Sequence, residues 1–438
     1  MGTEITLDIA EAHLTYAKNS RGWDHGSLFQ EADRRRLKSS AIDYDYMASE
    51  GVDPADMEMG FSRTLGELAP RLEMLGFTLA RVRADYELAA STARDERAQR
   101  LHDDEPAADV MGFEAFVAFA TRHDLKDLDH SFDLSGDDTA REARIQGRFG
   151  DDTVKAGLPF YEPYSPNAWS ERGYLVDLIS VMHPYSVLRV LAENVANLNE
   201  QVVWAYGMLV ENGWALPAAF VAEARRTDTF LVATEGSSDA HILKHALALL
   251  RPQIADFFRF IDVSERHPFS GTGNLLKFAE GLAKIDVHNQ IVFLFDNDAE
   301  GYEAVQKLSY FPLPANMRGL LLPELEEFRR FPARGPDGVN LADINRRAAA
   351  IECYLDLSHA GKSPPQVTWT NFKEALDTYQ GALDGKEAHT KPFLRLKPED
   401  IASGRYDTRK ISLVLDALTT LCSEIAASAA TPFDVERP

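Results

Sequence analysis

Residues 230–239 read Phe230-Leu231-Val232-Ala233-Thr234-Glu235-Gly236-Ser237-Ser238-Asp239, a nearly unbroken apolar run that ends on an acid and a glycine. About sixty residues later the pattern returns as Ile291-Val292-Phe293-Leu294-Phe295-Asp296-Asn297-Asp298-Ala299-Glu300-Gly301. Apolar runs of this length, bounded by turn-forming residues, suit strands buried on both faces of a parallel sheet. Around them the periodicity predicts strands at 229–234, 256–263, 290–295 and 317–322, alternating with helices at 238–250, 273–285 and 300–310. That order is the signature of βαβ units.

Open parallel sheets place ligands beyond the carboxyl ends of their strands, which is where the acids of both runs fall. Glu235 closes one strand, Gly236 permits a tight turn, and Asp239 falls in the first turn of the next helix. Asp296 and Asp298, two apart at a strand end, project from the same side, and Glu300 begins the following helix. Carboxylates converging on one sheet edge need cations, and an all-oxygen set selects hard ions such as Mg²⁺, Mn²⁺ or Ca²⁺. Such ions can hold a phosphate, activate water and stabilise the leaving oxygen of a phosphodiester. Asp-Asn-Asp between strand and helix also fits an ordinary helix N-cap, a bland alternative that stays open here.

The two acidic motifs resemble the TOPRIM domain shared by topoisomerases, bacterial primases and the overcoming-lysogenization-defect nucleases. The additional Asp239, in Glu-Gly-x-x-Asp, is most similar to the nuclease branch. The resemblance implies a catalytic acid/base or ligand role for Glu235 and metal binding for Asp296 and Asp298, all three counted as catalytic. It implies supporting metal ligands in Asp239 and Glu300, and a second-metal ligand in Glu352 or Glu324. The flanks resemble bacterial HEPN/Toprim-associated proteins through the opening Met-Gly-x-Glu-Ile, Lys18-Asn19-Ser20-Arg21-Gly22, Asp24-His25-Gly26, Asp343-Ile344-Asn345 and Ile351-Glu352-Cys353-Tyr354-Leu355. That likeness implies a metal-dependent nuclease, with Mg²⁺ or Mn²⁺, acting on DNA or RNA in defence against phage. The competing implication is a non-catalytic TOPRIM docking or sensing subunit of a defence or repair complex.

Working outward, 438 residues exceed one hydrophobic core and suggest two or three domains. The expected division is an N-terminal region 1–226, a hairpin followed mostly by helices; the α/β domain 227–357, Rossmann-like if the resemblance holds; and a small helical region 358–438. Residues 4–18 alternate as two short strands, 57–100 has helical spacing, 174–214 reads as two helices, and 342–357 and 370–430 read as helical. Trp204, Trp214 and Phe220 are expected in the core. With 46 Lys and Arg against 69 Asp and Glu, the formal charge is −23, which disfavours non-specific adsorption to nucleic acid. Contact with a polyanion must be local or carried by metal.

The local candidate is the basic neighbourhood of residues 384–410, with Lys386, Lys391, Arg395, Lys397, Arg405, Arg409 and Lys410; Lys391, Arg395 and Lys397 are the expected phosphate contacts. Lys18, Arg21 and His25 read as a solvated polar cluster. Arg97 and His102 have the spacing of a HEPN ribonuclease pair but sit in a charged helix end. Gly361-Lys362-Ser363 mimics a phosphate loop, yet Asp356 stands where the earlier glycine belongs and Pro364 follows. No ATPase site is expected, so nucleotide control would come from a separate ATPase or sensor partner. Two cysteines, no basic-then-apolar leader and no run of eighteen apolar residues lead to the expectation of a cytoplasmic protein without a membrane partner, capable of homo-oligomerising.

Overall fold

The computed structural model describes residues 2–39, 42–100, 109–133, 135–160, 168–261, 271–285, 287–359 and 364–429. The chain divides into two compact units, one holding the residues up to Arg225 and the other Arg226–Ala429. Both mix helix and strand. His102 and the Gly361-Lys362-Ser363 stretch lie outside the described residues.

The first unit is built on an antiparallel sheet of β1 (Glu4–Ile9), β2 (Ala12–Lys18), β3 (Arg34–Arg36), β4 (Met59–Thr64) and β5 (Gln201–Ala205), in the order β2-β1-β5-β4-β3. The expected hairpin is present, and its two connecting residues, Ala10 and Glu11, take left-handed backbone with φ of 47° and 67°. Two consecutive positive φ values match the twist that flanking strands need. β4 and β5 correct the helical readings of 57–100 and 174–214. Helices do occupy Leu65–Met74, Leu79–Arg100, Glu171–Ile179 and Pro184–Leu191. β4 precedes the first of these helices and is buried where it pairs with neighbours on both sides, and β5, after the last, alternates buried Val202 and Trp204 with more open residues. Pairing across the sheet overrides a weak local period.

Trp204 is fully buried, its ring 6.0 Å from Phe61, 5.3 Å from Phe220 and 5.4 Å from His25. Trp204→Ala is expected to cost about 3–5 kcal/mol in urea unfolding of this unit, the usual loss for a truncated core aromatic. Trp214, by contrast, is 48% exposed, a correction to its expected core position. His25 also departs from the solvated cluster: it is buried, between Thr15 and Tyr185, while Arg21 reaches the Ala219 carbonyl and Lys18 stays near Glu4.

The second unit contains β6 (Phe230–Thr234), β7 (Phe258–Phe260), β8 (Gln290–Phe295), β9 (Asn297–Asp298), β10 (Met317–Leu321), β11 (Phe331–Gly335), β12 (Gly338–Ala342), β13 (Ala348–Ala349), β14 (Val367–Lys373) and β15 (Thr378–Leu383). β10, β8, β6 and β7 form an all-parallel sheet in that order, interleaved with helices Ser237–Leu250, Thr272–Lys284 and Ala299–Ser309. The predicted alternation over 229–322 is thus observed. The chain leaves β6 for β7 on one side and returns to β8 on the other, so the sheet order reverses between β6 and β8. A crevice opens at the carboxyl ends of strands where such a reversal occurs. In the register Thr234 pairs with Leu294, so Glu235 and Asp296 leave adjacent strands at the same edge.

Two expectations fail further on. Residues 342–357 contain β13 and a short 3₁₀ turn, Ile351–Tyr354, and residues 367–383 form the β14–β15 hairpin of a second sheet, β12-β11-β14-β15. Val367-Thr368-Trp369 and Thr378-Tyr379 carry the β-branched and aromatic residues that favour strands. Helices do follow at Lys386–Phe393, Pro398–Ala402 and Arg409–Ala429. The last is long and apolar enough to cross a membrane by length and composition. Its Ile411, Val414, Leu415, Leu418 and Cys422 are all buried within the protein, which accounts for that character.

Candidate functional site

Glu235 stands at the end of β6, where its Oε1 accepts the backbone N–H of Asp296 at 3.0 Å and its Oε2 accepts the Thr272 hydroxyl. The two strand ends are therefore joined by a hydrogen bond through a site residue. Asp239 folds back across the first helical turn, accepting the Gly236 N–H at 3.0 Å and the Ser238 hydroxyl at 3.1 Å. Asp296 accepts the Ile351 N–H at 3.1 Å. Asp298 divides its oxygens: Oδ1 caps the helix Ala299–Ser309 through the Gly301 N–H at 2.8 Å, and Oδ2 accepts the Gln380 side-chain amide at 2.6 Å. The N-cap reading of this acid holds together with its place in the cluster. Gly301 must be glycine, because a Cβ there would lie 2.1 Å from the Asp296 carbonyl oxygen.

The protonation equilibria show that these acids form one group. Burial first, then the charges of Asp298 and Asp239, push the Glu235 carboxyl up to about 7, against the hydrogen bonds from Thr272 and Asp296. Burial and Glu352 push Asp239 up to about 6. Burial, Asp239, Glu235 and Asp298 lift Asp296 well above the carboxylate range, and burial with Glu300 lifts Asp298. Glu352 joins them: it is 2% exposed, and Lys386 Nζ lies 3.1 Å from its Oε2, close enough for an ion pair but without hydrogen-bond alignment. Burial works against the Lys386 charge, but Glu352, Asp296 and Asp239 hold it above its usual range.

Two predicted residues sit differently. Glu300 is paired with Lys373 at 2.6 Å, and Glu324 is half exposed beside Arg346. Of the two alternatives for the further ligand, the fold brings Glu352 to the cluster. The basic neighbourhood is largely spoken for: Lys386 turns inward, Lys391 pairs with Glu387, Arg405 with Asp400, Arg409 with Glu327, and buried Lys410 donates to the Cys353 carbonyl. Arg395 and Lys397 extend from the turn after the helix Lys386–Phe393.

The donor set suits a hard divalent ion: carboxylate oxygens, gathered in a buried edge, holding their protons more tightly than isolated acids do. Among the described residues, no three His, Cys, Asp or Glu side chains already stand as a finished cage. Their oxygens are turned instead to backbone N–H groups, Thr272, Gln380 and Lys386.

Sequence reasoning gave Thr272, Gln380, Lys386 and Asn297 no role beside the acids; Lys386 was expected only in the basic neighbourhood and Asn297 only within the Asp-Asn-Asp motif. Asn297 is fully buried, its amide reaching Asn345 at 3.2 Å and its carbonyl taking the Arg346 N–H at 2.7 Å, which pins the loop between the two aspartates. Gln380 accepts the Ala299 N–H at 2.8 Å while holding Asp298. Gln380→Ala is expected to lower stability by about 2 kcal/mol in denaturant melts, since two buried partners lose their bonds at once.

Among known proteins, the family model for HEPN/Toprim N-terminal domain 1 matches residues 1–228, ending where the second unit begins. No curated protein and no solved structure matches the chain.

Proposed function

The chain belongs to the HEPN/Toprim N-terminal domain 1 family, and from that premise and the acidic edge of the second unit we propose a TOPRIM-type nuclease that hydrolyses phosphodiesters with Mg²⁺ or Mn²⁺. The observation that carries the reading is the meeting of Glu235 with Asp296 at the switch point between β6 and β8, in a cluster whose members raise one another's proton affinity. Asp296, Asp298 and Asp239 would hold the ion, with Glu352 beside them. A bound ion of this kind supplies Lewis acidity and lowers the pKa of a coordinated water.

Glu235 is the group suited to take and return a proton, because its carboxyl titrates at about 7, near the operating pH. Thr272 orients it, Gln380 orients Asp298, and Lys386 balances part of the negative charge. Family resemblance further suggests a role in phage defence, and two buried thiols, Cys353 and Cys422, suit a reducing compartment such as the cytoplasm. The test is incubation of the purified chain with plasmid, single-stranded DNA and total RNA, with Mg²⁺, Mn²⁺ or chelator. Cleavage that requires the ion is expected; stable substrates under every condition defeat the reading.

A second reading is favoured by one observation, the turning of the carboxylate oxygens toward protein donors instead of a finished cage. In that reading the unit is a docking or sensing module. Calorimetric titration separates the two: heat of binding on adding Mn²⁺ supports the nuclease, and its absence supports docking.

A further inference from the structure

The chain leaving β15 delivers Lys386 to the acidic cluster. β15 ends at Leu383, and Asp384 after it is fastened by both oxygens, Oδ1 accepting the Thr368 hydroxyl and Oδ2 the Gln366 side-chain amide, each at 2.8 Å. Gly385 then takes left-handed backbone, with φ of 64°, and turns the chain into the helix Lys386–Phe393. At the far end of that helix Phe393 is fully buried, its ring 5.3 Å from that of His245 on the helix Ser237–Leu250, which also carries Asp239. His389, one turn on from Lys386, is buried as well. The segment is fixed at both ends, so the fold places the ammonium.

That ammonium stands against Glu352. Glu352 is 2% exposed, its Oε2 accepts no hydrogen bond, and Lys386 Nζ lies 3.1 Å from that oxygen. A buried carboxylate oxygen without a hydrogen bond needs a counter-charge, and here a side chain supplies it. The same charge acts on Asp239, Asp296 and Asp298. An ion bound to Glu352 Oε2 at the usual oxygen distance of about 2 Å would lie no more than about 5 Å from the nitrogen, the sum of that distance and 3.1 Å. Two positive charges so close, shielded from water, repel strongly. The partners of the aspartates are different, being neutral donors: the Ile351 N–H for Asp296, the Gly301 N–H and the Gln380 amide for Asp298, and the Gly236 N–H for Asp239. A carboxylate whose partners are neutral accepts an added cation more readily than one that faces a fixed ammonium.

We propose that Lys386 is a tethered cation that takes the place of a second divalent ion on Glu352, so that the acidic edge holds one ion, on Asp296, Asp298 and Asp239. The inference rests on the nuclease reading and fixes the ion count of its site. The role expected for Glu352, ligand to a second ion, is then filled from within the chain.

The test counts Mn²⁺ bound to the full chain, without nucleic acid, by calorimetric titration and by electron paramagnetic resonance. A lone ion gives the spectrum of an isolated Mn²⁺, and two ions about 4 Å apart couple and change it. The parent is expected to bind one Mn²⁺ per chain. Lys386→Met keeps the bulk of the stem and removes the charge; it should bind two, with a coupled signal. Lys386→Met/Glu352→Gln should return to one, and Lys386→Arg should stay at one. Two ions on the parent overturn the tethered cation and leave the nuclease reading in place. A folded Lys386→Met that binds one ion also overturns it. If Lys386→Met does not fold, Glu352→Gln decides: one ion on parent and variant alike upholds the proposal, and a variant that binds one ion fewer than the parent overturns it. No Mn²⁺ on the parent or on Lys386→Met removes the nuclease reading and the inference with it.

Discussion

Asp296→Asn is expected to lower ion-dependent cleavage by about a hundredfold or more, the scale at which loss of one preorganised charge is felt in catalysis. The same variant should melt at a temperature equal to or above the parent's. The two effects have a common origin. Asp296 is buried among Asp239, Glu235 and Asp298, which together push its carboxyl well above the ordinary range. A carboxyl raised in the folded state favours folding while protonated, and that contribution is present below its unfolded pKa and is lost as pH rises through the folded value.

For Glu235 the corresponding window runs from the ordinary 4.5 to about 7, and for Asp239 from 3.8 to about 6. In chelator, the parent should therefore lose stability between roughly pH 4 and 7. Asn at 296 keeps an oxygen for the Ile351 N–H and carries no charge, so the decline should be shallower and the gap between variant and parent should widen with pH. Thermal melts at pH 5 and pH 8, paired with cleavage assays, check both halves. Full cleavage by Asp296→Asn would remove the metal-ligand role, and a variant less stable than the parent at pH 8 would remove the electrostatic account.

The acidic residues were legible because strand ends are legible. An apolar run that stops on Glu-Gly or Asp-Asn-Asp marks both a sheet edge and its side chains, and Glu235, Asp239, Asp296 and Asp298 all come to that edge. The residues that orient them were not legible. Thr272 sits at a helix start, Gln380 in a hairpin and Lys386 at the start of a helix read as part of a surface basic patch. Each is an ordinary residue until the register puts it beside a carboxylate. The stretch 342–357 misled for a related reason: its apolar residues follow a helical count, but Asn345 is committed to Asn297 and the Leu325 backbone, and the chain there makes a turn through Arg346, at φ 55°, in place of a continuous helix. In the first unit, β5 was hidden because five alternating residues between two helices carry too short a period to compete with their surroundings.

Acid should unfold the first unit well before its carboxylates would account for it, and the cause is a pair of histidines. Burial holds His25 down to about 4, with Asp24 opposing, and burial together with the His25 charge holds His183 down to about 3. Both are neutral in the fold. His183 uses its Nδ1 lone pair to accept the Tyr185 N–H at 3.1 Å, capping the helix Pro184–Leu191, so a proton on that nitrogen breaks the cap. Beside it, His25 lies between the Tyr185 hydroxyl at 2.9 Å and the Thr15 hydroxyl at 3.1 Å, with the Trp204 ring against it.

Because the folded pKa values lie below the unfolded 6.5, the stabilisation is complete above pH 6.5 and is lost as pH falls toward 4 and 3. By pH 4.5, two units below the unfolded pKa, each histidine should have cost about 3 kcal/mol, from the 1.4 kcal/mol that one unit of pKa represents. His183→Asn isolates one of them, since asparagine is a good N-cap and does not titrate in this range. Near pH 7.5 the variant should unfold close to the parent in urea, and at pH 4.5 it should be the more stable by about 3 kcal/mol. Stability curves that fall in parallel for parent and variant between pH 6.5 and 4.5 would show that His183 is not the acid-sensitive element.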